Sequence, residues 1–95
     1  MSDDMLRGVL DAAQAKTDKD GWEALPEGRG VTLYAAHDGV SLTVAKVESV
    51  RVVSGVLRAR TTKGEVFFLS LAEVFAAAVD GGLAASTGRK AGFLG

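Results

Sequence analysis

Three X-Gly steps punctuate the middle of the chain, Asp38-Gly39, Ser54-Gly55 and Lys63-Gly64, and each is flanked by apolar residues at alternate positions. Glycine accepts the positive φ that a tight reversal requires, and Asp-Gly is a strong two-residue hairpin signal. Reversals this closely spaced leave room only for short strands that pair with their sequence neighbours, so they predict an antiparallel meander. In "VTLYAAHDGVSLTVAK" the register set by Asp38-Gly39 puts Val31, Leu33, Ala35, Val40, Leu42 and Val44 on one face. Thr32, Tyr34, Ser41 and Thr43 take the other, the alternation of a half-buried sheet. His37 falls on the apolar side at the strand end. The phase breaks near Lys46-Val47, which predicts a bend or bulge.

Reading the next two reversals as two-residue turns pairs Val52 with Leu57, Val50 with Ala59, and Ala59 with Phe68 on the core face. On the opposite face Arg51 then lies across from Arg58, Ser49 across from Arg60, Arg60 beside Phe67 and Arg58 beside Leu69. Like charges directly opposed on a sheet destabilise it modestly, so this face asks for an explanation. A three-residue "TKG" loop with a Gly bulge would shift the Phe67 pairing by one residue.

Before the meander, Met5, Leu6, Val9, Leu10 and Ala13 recur at helical spacing, and Asp3 and Asp4 sit in the first turn, where carboxylates suit the helix dipole. Residues 1–18 are therefore assigned to an amphipathic helix weakened by Gly8, and the Gly-, Pro- and charge-rich 19–30 to a linker that Trp22 and Leu25 could pin to the body. After the meander, Ser70 and Glu73 have the spacing of a capping box, and Leu71, Val74, Phe75, Ala78 and Val79 form one helical stripe. That pattern predicts a short second helix, stopped by Asp80-Gly81-Gly82. Residues 31–80 form the β-meander with its capping helix, and 81–95 a Gly-rich flexible tail whose Phe93 and Leu94 could dock on the body or on another protein. The expected fold class is α+β: an N-terminal helix, an antiparallel meander of about five strands (an open sheet or a small barrel), a short C-terminal helix and a tail.

Composition narrows the function. The 95 residues suffice for one domain and one modest core, and with 47 % apolar but only 6 % aromatic residues that core is built from small side chains. Such chains often gain stability by oligomerising. There is no cysteine, hence no disulfide and no thiolate for metal work. No secretory signal is apparent, and no run approaches the ~18 apolar residues of a membrane span, so a cytoplasmic location without membrane attachment is expected.

The motifs for chemistry are absent or broken. An EF-hand loop begun at Lys16 would place Asp18, Asp20 and Glu27 at ligand positions, but its first ligand would be a lysine. Gly28-Arg29-Gly30 lacks the spacing of a phosphate loop. His37 is the only histidine, and no serine has an evident base beside it. No catalytic residue, cofactor or metal is assigned.

Two resemblances concern the sheet. The order of a helix followed by bent strands, with "VSGVLRA" crossing a glycine in mid-sheet, resembles an Sm-like small barrel. "LTVAKVESVRV" followed by "TTKGEVFFLSLAEVF" resembles the second half of a LytTR-type DNA-binding domain. Neither brings a diagnostic contact residue, so neither assigns a site.

The candidate binding residues are Arg51, Arg58, Arg60, Phe67 and Leu69. Net charge is −1, but the chain through Asp38 carries eight acids and four bases (−4), and the remainder four acids and seven bases (+3). Three covers for the arginine face follow: the acidic N-terminal helix, with Asp3, Asp4 or Asp11 near the arginines; a protein partner or second copy; or nucleic acid, with Phe67 as a stacking platform. The expected function is a small non-enzymatic adaptor or regulatory module acting through protein contacts and self-association, ahead of a nucleic-acid-binding module.

Overall fold

A computed structural model describes residues 1–81. Its first element is helix α1 (Asp3–Ala12), which starts where the Ser2 hydroxyl accepts a hydrogen bond from the Met5 amide at 3.0 Å. The helix ends short of residue 18, because Gln14 turns to a positive φ of 61° and the chain then enters a small hairpin. Strand β1 (Lys16–Thr17) pairs with β2 (Glu23–Ala24). Between them the Asp18 carboxylate accepts from the amides of Asp20 at 2.8 Å and Trp22 at 3.0 Å, closing a tight turn. Part of the expected linker is thus ordered as a hairpin.

Strands β3 (Gly30–His37) and β4 (Val40–Val53) meet through Asp38 and Gly39 in the expected register, His37 opposite Val40 and Leu33 opposite Val44. Both turn residues have positive φ, 49° and 80°, as a type I′ turn requires. The predicted phase break is real: Lys46 has φ 59°, and the pairing of β4 slips there against β3 and again, between Val47 and Ser49, against β5. This bend lets one 14-residue strand serve two partners, β3 through its first half and β5 (Val56–Thr61) through its second. The sheet curls as a result.

Strand β6 (Val66–Ser70) follows a loop of Thr62, Lys63 and Gly64, in which Gly64 takes φ 86° and the Thr61 amide bonds to the Glu65 carbonyl at 2.8 Å. Because the loop has three residues, Ala59 pairs with Phe67 and Arg58 with Phe68, one residue away from the two-residue reading. Every β6 side chain therefore changes face.

The expected C-terminal helix is not formed. A single 3-10 turn η1 (Leu71–Glu73) leads into β7 (Val74–Asp80), which pairs antiparallel with β3. Ser70 makes no side-chain cap, so the capping-box spacing has no structural counterpart. Without β7, the edge of β3 that carries buried Val31, Leu33 and Ala35 would leave its backbone groups unpaired, and that non-local demand outweighs the alanine-rich local preference. Apart from Gly81, the assigned tail lies outside the described residues.

The path β6-β5-β4-β3-β7 forms a curled antiparallel half-barrel, with β2 and β1 attached beside the second half of β4. Its concave face is filled by Val31, Leu33, Val44, Val47, Val50 and Leu57, and α1 adds Leu6, Leu10 and Ala13.

Candidate interaction surfaces

The β4–β5 register puts Arg51 directly opposite Arg58, and Ser49 opposite Arg60, as the turn at Ser54-Gly55 implied. With Val50, Leu57 and Ala59 pointing into the core, alternation turns these arginines outward. Each is half-buried. Arg58 lies over the ring of Phe68, with Cζ 5.3 Å from its centroid, and Arg60 lies 4.2 Å from the ring centroid of Trp22, which reaches over from the β1–β2 turn. From the same turn the Asp20 carbonyl accepts a hydrogen bond from Arg51 Nη1 at 3.0 Å.

Among the described residues, which include all twelve Asp and Glu side chains, no carboxylate lies within 4 Å of any of the three guanidiniums. The N-terminal helix does not supply the cover expected of it. Its apolar stripe is spent on the core, and Asp3 and Asp4 face Arg51 only across an open cavity of about 630 Å³ that Arg7, Glu23 and Val53 also line. The partial cover comes from the turn around Trp22. Arg58 Nε and Ser49 Oγ are buried with no hydrogen-bond partner among the described residues.

Phe67 and Leu69 do not join this face. Both sit on the concave side, partly buried against the core, and Phe68 takes the outward place beside the arginines. Leu69 and Phe68 instead border a groove of about 320 Å³ shared with Val40 and Leu42 at the hairpin tip. The groove has a polar end, where His37 contacts Glu73 and lies 3.2 Å from Asp38. That contact holds the hairpin tip to η1. Val40 is 70 % exposed and Phe68 64 %. From Val44 toward the tip, at Leu42 and Val40, the apolar alternation of the hairpin outruns the core.

Sequence reasoning missed the hairpin tip as a surface feature. The alternative three-residue "TKG" loop is the one that forms, and it brings Phe68 to the arginine face. Trp22 was expected to pin the linker to the body; its place over Arg60 was not foreseen. Among the described residues no group of three or more His, Cys, Asp or Glu side chains could hold a metal ion, and no helix is long and apolar enough to cross a membrane. No protein-family model, curated protein or solved structure matches this chain.

Proposed function

We propose that the protein is a small non-enzymatic adaptor or regulatory module of the cytoplasm that works through protein contacts and self-associates. The observation that carries this reading is the β6 edge. Among the described residues β6 pairs only with β5, so its outer row of backbone groups has no strand partner. Edge strands are usually blunted by charge, proline or a bulge, whereas β6 reads "VFFLS". Around it Val40, Leu42, Val66 and Phe68 are exposed together, the kind of apolar surface that marks a contact site. The opposite end of the sheet, β7, also has no second neighbour among the described residues, and it exposes Phe75. A second copy adding a strand at β6 would cover both the edge and the groove.

Light scattering across a micromolar dilution series is expected to show a dimer or larger species. Phe68→Lys should yield a monomer that still melts cooperatively, because Phe68 points away from the core. A parent protein that is monomeric at high micromolar concentration would refute self-association.

A second reading, a nucleic-acid-binding module, is favoured by one observation, the three guanidiniums that have no carboxylate near them.

A further inference from the structure

We infer that the outward face of β4 and β5 is an oxyanion site, and that its occupant is a carboxylate-bearing acidic segment of a partner protein; the inference rests on the adaptor reading above and names the chemistry of its partner. The first argument is energetic. Arg51 and Arg58 oppose each other across the ladder and Arg60 stands two residues along, so the Cα atoms of three arginines on one face fall within about 7 Å. None of the twelve Asp and Glu side chains pairs with any of the three. Such an arrangement costs stability in the free protein, and a bound anion offsets that cost.

The second argument is the pair of orphaned atoms. Buried polar groups in folded proteins are nearly always satisfied, yet Arg58 Nε and Ser49 Oγ are both buried without a partner, and both flank Arg60. These two atoms lie out of a ligand's reach, so a bound carboxylate accepts instead from the other guanidinium N–H groups of the face. Stacking on Trp22 and Phe68 also restrains the guanidiniums of Arg60 and Arg58, which reduces the ordering cost of forked hydrogen bonding.

One feature favours an acidic peptide over a nucleic acid. The rings of Trp22 and Phe68 are already engaged by guanidiniums, so neither offers a free platform for a base.

Trp22 is the only tryptophan, so its fluorescence reports on the site directly. The full chain is titrated with an end-blocked oligoglutamate, with oligolysine and an oligothymidylate as comparisons. A saturable Trp22 response to oligoglutamate is expected, weakening as salt rises. Arg58→Gln and, independently, Arg60→Gln should each bind about tenfold more weakly while still melting cooperatively. No saturable response, or undiminished affinity in both variants, overturns the site. Tighter binding of oligothymidylate through the same arginines overturns the peptide occupant and supports the nucleic-acid reading. Light scattering on the same samples separates the two levels: an oligomer indifferent to oligoglutamate removes the arginine site alone, and a monomer that binds it removes self-association alone.

Discussion

A chain lacking residues 1–14 is expected to lose most of its folding stability. Helix α1 has little independent claim to form, being ten residues long with Gly8 inside it, and it is held by what it buries. Leu6, Leu10 and the adjoining Ala13 are buried in the same cluster as Val31 and Val50 of the sheet. At about 1.5–3 kcal/mol for each fully buried leucine, the two leucines alone contribute about 3–6 kcal/mol. The whole chain, at ~0.05–0.15 kcal/mol per residue, has only about 5–14 kcal/mol to lose. The Met1 amino group also donates to the Leu71 carbonyl at 2.8 Å, tying the start of the helix to η1. Circular dichroism melting, together with binding of a hydrophobic dye, measures the effect. An unchanged melting curve would mean that the helix does not close the core.

Leu33→Ala should cost about 2–5 kcal/mol, measured as a lower urea midpoint at unchanged slope. Leu33 lies in the middle of the sheet, between Val44 on β4 and Ala77 on β7, and is 1 % exposed. Its cross-strand partners are a β-branched valine and an alanine on paired strands, which have few rotamers with which to fill a void. Leu42→Ala is the informative contrast. Leu42 belongs to the same alternating face of the same hairpin, but it is exposed beside the groove, so its loss should change stability by less than about 0.5 kcal/mol.

That contrast also shows how far the sequence could be read. Alternation identifies a face without showing where the core stops, so Val31 and Val40 look alike until the curl of the sheet and the position of α1 are known. Register was legible wherever the turn chemistry was unambiguous. Asp38-Gly39 gave the His37–Val40 pairing, and Ser54-Gly55 gave Arg51 opposite Arg58. At Lys63-Gly64 the dipeptide was misleading, because Gly64 closes a three-residue loop, and a slip of one residue exchanged Phe67 for Phe68 on the arginine face.

The larger misreading, a helix over what became β7, arose from a pattern that satisfies either state: "LAEVFAAAV" has a helical stripe, and its valines and Phe75 also suit a strand. The decision lies about 45 residues away, in the unpaired edge of β3. Trp22 over Arg60 is another long-range placement. It depends on the Asp18 turn and on β2 pairing with β4, and nothing local specifies either contact.

The account stands on β6 being an edge that a second protein strand occupies. Hydrogen exchange of individual backbone amides across a protein dilution series tests this directly, because the β6 amides that point away from β5 have no intramolecular acceptor in the sheet. Those amides should become protected as the protein is concentrated and exchange freely again on dilution, and Phe68→Lys should hold them in the free state at every concentration. Exchange at β6 that does not change with concentration, in a chain that stays monomeric, would contradict the account.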